Sequence, residues 1–331
     1  MNQHSETNRK ISGSARLTEN LRGILLPFPT PFDSTGDVNA PALGRNIEKW
    51  NGTGVRGYVA LGSTGERVHL DESECLAVIE AARESVPEHL SLIVGAGQAS
   101  TRTTINEVRR FTEAGAQALL VITPHFYRKA MTHEALVAHY LAVADAATVP
   151  VILYSMPDLT GIALAPETVA RLSEHENIIG IKDSSSDLVN LAETLRCVPL
   201  DFAVLTGNGP LLYAALSVGA RGAILAVGCA AAELSVAIYE AVEAREYERA
   251  LRLQRRLTPL ARAVTTRYGI GGLKAAMDII GYEGGSVRAP LRKPGSEAVE
   301  EITLLLKDAA SAREEEQTAW TQSRLAGATK S

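Results

Sequence analysis

Lys182 is the side chain of this 331-residue sequence whose surroundings point most directly to chemistry. It ends the apolar run in the segment NIIGIKDSSS, whereas the other seven lysines lie in polar, helical or terminal segments where we expect solvated side chains. Apolar surroundings disfavour the charged form of a lysine, so the neutral amine becomes available as a nucleophile. Such an amine attacks a ketone and forms a Schiff base. The alternative is a structural lysine paired with the adjacent Asp183, although successive strand residues point to opposite faces.

Schiff-base chemistry also needs a proton donor and a binding site for the substrate. Tyr154, in the segment VILYSMP, can relay a proton through its phenol, or it can be a core tyrosine bonded to a backbone carbonyl. The segment GSTGE begins with Gly62 and allows a tight glycine turn, in which the hydroxyls and N–H groups of Ser63 and Thr64 can bind a carboxylate. The turn is informative only in combination with Lys182 and Tyr154.

Eight short apolar, β-branched runs alternate with helix-like segments along the chain. The runs cover residues 23–29, 57–62, 91–97, 118–124, 149–155, 178–184, 202–208 and 222–228. Most lack polar alternation, as parallel strands covered on both faces do. Eight such units within about 210 residues predict an α/β fold, the (β/α)8 TIM barrel, with the candidate residues at the carboxyl-end rim. The rival, a doubly wound open sheet, would usually have fewer strands and a nucleotide fingerprint.

The sequence from residue 230 to about 312 is typical of helix throughout, which is more helix than one barrel unit needs. We therefore predict four segments. They are a polar N-terminal tail (1–20), the barrel (21–229), a C-terminal helical subdomain (230–315) and a C-terminal tail (316–331).

Composition narrows the class of partner. The net charge of −5 and the scattered basic residues argue against nucleic acid and anionic membranes, so we expect a small-molecule substrate. The first twenty residues lack the apolar core of a secretory signal and no later run is long enough to span a membrane, which predicts a cytoplasmic protein. Cys75, Cys197 and Cys229 are odd in number and widely spaced, which indicates free thiols. We expect no metal and no organic cofactor, because an iminium withdraws electrons unaided.

Five ordered segments, GSTGE, TPHFYR, ILYSMPDLTG, NIIGIKDSS and YGIGGLKAAMDIIGYEGGSVRAPL, resemble one known family. It is the dihydrodipicolinate synthase and N-acetylneuraminate lyase family of Schiff-base, pyruvate-dependent aldolases, and the likeness runs from about residue 21 to 302. The resemblance implies that Lys182 forms an imine with a 2-oxo acid such as pyruvate. It also implies that Tyr154 shuttles protons, that Ser63 and Thr64 hold the carboxylate, and that the backbone of Ile224 lines the pyruvate site. Such proteins are usually homotetramers built as dimers of dimers.

Two positions depart from dihydrodipicolinate synthase itself. Leu159, in MPDLTG, stands where the synthase has an arginine that binds the carboxylate of aspartate semialdehyde, and leucine cannot make those bonds. Phe126, in TPHFYR, stands where the synthase contributes a tyrosine across the subunit interface; Tyr127, His125 or a water can replace its hydroxyl. Both departures argue against synthase activity.

The overall pattern looks most like 4-hydroxy-2-oxoglutarate aldolase, with 2-keto-3-deoxy sugar acid aldolases close behind. We therefore expect a class I lyase that releases or consumes pyruvate. One alternative is a dehydratase or deaminase that uses the same lysine imine. Another is a keto-acid-binding protein with reduced turnover, which Phe126 favours. Arg288, in SVRAPL, is interpreted as a structural arginine, with a distal substrate pocket as the alternative.

Overall fold

The computed structural model describes residues 17–311, in which eight parallel strands form a closed barrel in sequence order. Each strand lies within one of the eight predicted runs, so the predicted TIM barrel is confirmed. The strands are β1 (Gly23–Leu26), β2 (Gly57–Ala60), β3 (Ser91–Ala96), β4 (Ala118–Ile122), β5 (Val151–Ser155), β6 (Ile178–Asp183), β7 (Ala203–Thr206) and β8 (Gly222–Ile224).

Helices connect the strands and continue beyond the barrel. They are α1 (Ala40–Trp50), α2 (Glu72–Ser85), α3 (Thr101–Glu113), α4 (His133–Ala146), α5 (Pro157–Thr160), α6 (Pro166–Leu172), α7 (Leu188–Cys197), α8 (Leu212–Ser217), α9 (Ala232–Glu243), α10 (Tyr247–Ala261) and α11 (Gly269–Ile279). A π-helical turn, Arg262–Arg267, joins the last two, and residues 296–311 are also helical. No helix in this part of the chain is both long enough and apolar enough to cross a membrane.

Polar side chains begin the helices that follow the candidate site. Asp71 and Glu74 form a reciprocal capping box at the start of α2, one short helical turn (Arg67–His69) after the segment GSTGE. Asp187 accepts a hydrogen bond from the backbone of Asn190 and starts α7, shortly after Lys182. Each such cap stabilises a helix by about 1 kcal/mol and defines where the preceding loop must end.

The inner face of the barrel is an apolar layer that surrounds the predicted site. Alternate residues of the strands point inward, and their outward neighbours pack against the helices. The inner layer comprises Leu25, Val59, Ile93, Leu120, Ile152, Tyr154, Leu205 and Ile224. Because neighbouring parallel strands share one pleat, residues paired across them point to the same side.

The prediction of continuous helix from residue 230 to about 312 is wrong for residues 280–295, which are largely non-helical. Gly281 and Gly285 have positive φ angles of 85° and 74°, and Pro290 and Pro294 follow. A Cβ on Gly284 would lie 2.1 Å from the carbonyl oxygen of Lys274, so the chain needs glycine there. Instead of continuing as a helix, the segment turns back toward the loop after β1, where Ser286 pairs with Phe32.

The predicted domain boundaries, a barrel over 21–229 and a helical subdomain over 230–315, stay a prediction. The predicted tail over 316–331 lies outside the described residues, as does most of the tail over 1–20.

Candidate active site

Lys182 lies on β6 and points into the barrel. It is paired in register with Tyr154 on β5 and with Leu205 on β7, which both belong to the inner layer. Its side chain is 4% exposed, and Nζ lies 4.4 Å from the centroid of the Tyr154 ring. Among residues 17–311 no carboxylate forms an ion pair with Nζ, and the carboxylate of Asp183 accepts the backbone N–H of Ser185 at 2.8 Å instead. The alternative of a Lys182–Asp183 pair is therefore wrong.

Tyr154 connects this lysine to the loop after β2. Its phenol oxygen lies 3.1 Å from Oγ of Ser63, so one of these hydroxyls donates to the other. The residue is 3% exposed. The alternative of a core tyrosine bonded to a backbone carbonyl is not what the structure shows, because the observed partner is a hydroxyl group. Two hydroxyls and one amine thus meet at the mouth of the barrel.

The segment GSTGE forms two overlapping turns, with Gly65 N–H donating to Gly62 O (3.0 Å) and Glu66 N–H donating to Ser63 O (3.2 Å). Thr64 is buried inside them. The tight turn is present, but the prediction that its glycines allow it is only partly right. The left-handed backbone conformation falls on Leu61 and Glu66, both with φ of 55°, and not on the glycines. A left-handed conformation is unfavourable for a residue with a Cβ, so side-chain contacts must hold Glu66 in place.

Those contacts involve a lysine that the sequence analysis assigned to a solvated face. Lys274, on α11, is 1% exposed, and its Nζ lies 2.6 Å from Oε1 of Glu66. Burial lowers the pKa of Lys274 and the carboxylate opposes that shift. It is the one cation of the largely apolar helix GIGGLKAAMDI, and this was the available signal, similar to the one that singled out Lys182.

Gly207, directly after β7, provides space for the candidate nucleophile. A Cβ at this position would lie 2.7 Å from Cε of Lys182 and 1.9 Å from Oγ of Ser184. Neither approach is possible between real atoms, so glycine is required for Lys182 to occupy its present position. Gly207 was not among the predicted site residues, because a glycine after a strand is common and only the contact with Lys182 makes it informative.

Ile224 lies on the inner face of β8, in the same apolar layer as Tyr154. It is fully buried and faces the interior that Lys182 also enters. The structure therefore brings this residue to the barrel interior, and the role of its backbone in lining a pyruvate site stays a prediction.

The two positions that depart from the synthase lie on the rim. Phe126 and Tyr127 are 74% and 70% exposed and pack edge to face at 5.1 Å. Leu159, on the short helix α5, is 61% exposed. Arg128 follows the aromatic pair, and its guanidinium lies against Gly161 on the loop after β5.

Arg288 has structural contacts in this chain. Its guanidinium donates to the carbonyl oxygens of Gly36 and His69 and pairs with the carboxylate of Glu74. Its backbone N–H donates to Oε2 of Glu66 at 3.1 Å. These bonds tie the 280–295 segment to the loops after β1 and β2, which agrees with the structural interpretation of this arginine.

The model of the dihydrodipicolinate synthetase family matches residues 20–309. The chain belongs to this family. Members are Schiff-base lyases, and the chain is an enzyme of this lyase class, as predicted.

Individual relatives agree with the family model. The 4-hydroxy-tetrahydrodipicolinate synthase of Methanopyrus kandleri is 34% identical over 289 residues, which cover 87% of this chain and 96% of the relative. A prophage protein of the dihydrodipicolinic acid synthase family from Escherichia coli K12, solved in complex with pyruvate, has a TM-score of 0.82 at 28% identity, covering 87% of this chain and 98% of that chain. A monomeric dihydrodipicolinate synthase variant has a TM-score of 0.84 at 27% identity, covering 88% and 98% of the two chains.

These relatives correct the predicted activity. Five further relatives, 31–34% identical, carry the name 4-hydroxy-tetrahydrodipicolinate synthase as well. The expectation of a 4-hydroxy-2-oxoglutarate or sugar acid aldolase, with synthase activity disfavoured, is therefore wrong. It gave decisive weight to Leu159 and Phe126, which are exposed rim residues. Exposed positions in the connections between strands and barrel helices vary more readily among relatives than the elements that support them.

Proposed function

We propose that the chain is a Schiff-base lyase that joins pyruvate to an aldehyde in the reaction of a 4-hydroxy-tetrahydrodipicolinate synthase. The observation that carries this proposal is the buried amine of Lys182, 4.4 Å from the ring of Tyr154, whose hydroxyl contacts Ser63. The names of the relatives support the reaction, and the pyruvate complex of the E. coli prophage protein supports the keto acid.

In the first step Lys182 Nζ attacks C2 of pyruvate and forms a carbon–nitrogen bond. The former carbonyl oxygen takes up two protons, one of which comes from the attacking amine, and leaves as water when the iminium forms. Tyr154 acts as the acid and base that delivers and removes these protons, since its hydroxyl reaches the same inner space as the amine. Ser63 accepts or donates the next proton across its 3.1 Å contact with the phenol.

The carboxylate of pyruvate is held by the turn after β2. Ser63 and Thr64 offer hydroxyls and backbone N–H groups, and Gly62 lets the ligand approach the backbone. Ile224 belongs to the apolar layer of the barrel interior, and its backbone lines the site. This placement orients C2 toward Lys182 and leaves C3 open to the mouth of the barrel.

Carbon–carbon bond formation follows from the iminium. Loss of a proton from C3 gives an enamine, whose C3 attacks the aldehyde carbon of aspartate semialdehyde while the aldehyde oxygen gains a proton. The amino group of the former semialdehyde then attacks C2 of the iminium and closes a ring. A proton passes from this nitrogen to Lys182 Nζ, the bond between C2 and Nζ breaks, and the lysine is released as the free amine. No metal or organic cofactor is required, because the protonated imine is the electron acceptor.

Phe126 has no hydroxyl, so in this chain the proton relay runs between Tyr154 and Ser63 without a phenol at that rim position. The homotetramer remains a prediction from resemblance, and the existence of a monomeric variant in the family makes it a property to measure. Light scattering of the purified protein tests it directly.

Mass spectrometry of the intact protein after incubation with pyruvate and borohydride tests the proposed nucleophile. We expect a reduced pyruvyl adduct on the peptide that contains Lys182, and none in Lys182→Met. The Lys49→Met variant removes an exposed amine and serves as the matched control. We expect it to form the adduct on Lys182 to the same extent as the wild-type protein. Failure of the folded wild-type protein to form an adduct would contradict the proposal. Incubation with pyruvate and aspartate semialdehyde then tests for the condensed product.

A further inference from the structure

Lys274 is a second fully buried lysine, and the proposed reaction does not use it. Its Nζ donates to the carbonyl oxygen of Ser286 at 2.6 Å and lies 2.6 Å from Oε1 of Glu66. The ring of Phe32 covers a third side, with its centroid 4.5 Å from Nζ. These partners occupy the ammonium group, so Lys274 is not a second free amine.

Glu66 receives three contacts through one carboxylate. Besides Lys274, these are the backbone N–H of Arg288 at 3.1 Å and Nδ1 of His69 at 3.3 Å. The residue has φ of 55° and ψ of 31°, a left-handed conformation that is unfavourable for any side chain with a Cβ. The carboxylate contacts therefore hold the backbone in a conformation that it would not adopt unaided.

The backbone conformation of Glu66 determines where the hydroxyl of Ser63 lies in the candidate site. The N–H of Glu66 donates to the carbonyl oxygen of Ser63 at 3.2 Å and closes the turn. Oγ of Ser63 in turn contacts the phenol of Tyr154. On the other side of the turn, Thr30 donates its hydroxyl hydrogen to the carbonyl oxygen of Gly65 at 2.7 Å.

Among the partners of the Glu66 carboxylate, Lys274 is the one that balances its negative charge. The guanidinium of Arg288 is already paired with Glu74, so its contact with Glu66 is through the backbone alone. Lys274 is the buried side-chain cation that faces the carboxylate. Without Lys274, the buried carboxylate of Glu66 would keep only the backbone N–H of Arg288 and the ring of His69 as partners. A conformation that exposes this carboxylate to water would then be favoured over the present turn.

We propose that Lys274 is a positioning residue that holds Glu66, and through it the Gly62–Glu66 turn, in the conformation that places Ser63 against Tyr154. The inference rests on the proposed pyruvate chemistry. It assigns the helix α11 and the 280–295 segment a role in the active site, although neither contributes a group that touches the substrate.

Two variants separate positioning from stability. Lys274→Met removes the cation and leaves the carboxylate buried, so it lowers both stability and turnover. The double variant Glu66→Gln with Lys274→Met leaves no buried charge, and replacing both members of a buried pair can restore stability. We expect the double variant to regain its urea unfolding midpoint while its turnover stays low, because the amide does not hold the left-handed turn.

The readout is the exchange of pyruvate C3 hydrogens with D2O, measured by proton NMR on the folded fraction of each protein. It requires imine formation and proton transfer but no aldehyde. We expect kcat for exchange to fall by about 100-fold in both variants, more than in Ser63→Ala, because a displaced turn moves all the groups that hold the carboxylate, and a displacement of about 1 Å in a reacting group has an effect of this size. Leu172→Ala, a cavity variant at a fully buried position of α6, is the control: it lowers the unfolding midpoint and keeps kcat.

The outcomes distinguish this inference from the proposed function. A double variant that recovers kcat together with stability would overturn the positioning role, as would an unchanged kcat in folded Lys274→Met. A wild-type protein that neither exchanges the hydrogens of pyruvate nor forms the borohydride adduct would overturn the proposed function itself.

Discussion

Tyr154 and Lys182 are direct partners across β5 and β6, and the amine of Lys182 lies 4.4 Å from the centroid of the Tyr154 ring. Parallel strands place paired residues on the same face, so the phenol and the amine enter the barrel side by side. A keto acid bound to the amine would therefore have the phenol within reach of its reacting carbon. This pairing is the basis for the first prediction.

Tyr154→Phe is expected to keep the packing of the ring and lose the proton donor. Imine formation should slow by about 10²-fold to 10⁴-fold, the usual contribution of a positioned acid or base. Ser63→Ala should cost only about threefold to tenfold, since it removes one neutral hydrogen bond. Both rates can be measured by adding borohydride at successive times after mixing with pyruvate and quantifying the trapped adduct.

Tyr140→Phe is the control for that pair of variants, because Tyr140 is a buried tyrosine whose hydroxyl donates to the carbonyl oxygen of Val121. It should leave the trapping rate unchanged. Equal effects of the Tyr140 and Tyr154 substitutions would show that packing, not proton transfer, explains the loss.

Gly207→Ala should displace the nucleophile, because the added Cβ would lie 2.7 Å from Cε of Lys182. We expect trapping of the pyruvyl adduct to slow by about 100-fold, with the protein still folded by circular dichroism. Gly52→Ala is the matched control, since a Cβ there meets no atom within 4 Å. Normal trapping in Gly207→Ala would mean that Lys182 does not need this space for its reaction.

Leu159→Arg tests how the exposed rim selects the aldehyde. The position is 61% exposed, so the fold should tolerate the change. Charge-assisted bonds to a carboxylate contribute about 1.5–3 kcal/mol, which predicts a KM for aspartate semialdehyde lower by about 10-fold to 100-fold. Leu159→Gln, which is polar but uncharged, should change KM little. Equal KM values in the two variants would remove any carboxylate-binding role from this position.

His139 predicts a pH dependence of stability. Burial lowers its pKa from 6.5 to about 4, and its Nδ1 lies 2.9 Å from Oγ1 of Thr101. Between these values the unfolded chain binds a proton that the folded chain refuses, so stability falls as the pH drops from about 6.5 to about 4. The expected loss is about 3 kcal/mol.

Urea unfolding at several pH values measures this loss as the difference between the wild-type protein and His139→Gln. The wild-type curve should be the steeper one over that range, because glutamine does not titrate. Parallel curves would show that His139 takes up its proton in the folded protein as easily as in the unfolded chain.

Local sequence patterns were sufficient for the barrel and for the main candidates of the site. A buried parallel strand is a short apolar run, and a lysine at the end of such a run is conspicuous without any knowledge of its neighbours. The eight strands and the inward placement of Lys182 follow from these patterns. The βα order also places the ends of all strands at one rim, which brought Tyr154 and Ser63 to the same place.

Contacts between distant parts of the chain were decided by the tertiary structure. Ser63 and Tyr154 meet across 91 positions, and no local pattern specifies the 3.1 Å between their hydroxyls. The apolar neighbours of Lys274 indicate burial, but only the folded chain shows that its partner is the carboxylate of Glu66, 2.6 Å away. Residues 280–295 leave the helix because their glycines and prolines favour turns and because Ser286 pairs with Phe32. Side-chain type and periodicity are properties of a few neighbouring residues, whereas the partner of a buried charge depends on the whole path of the chain.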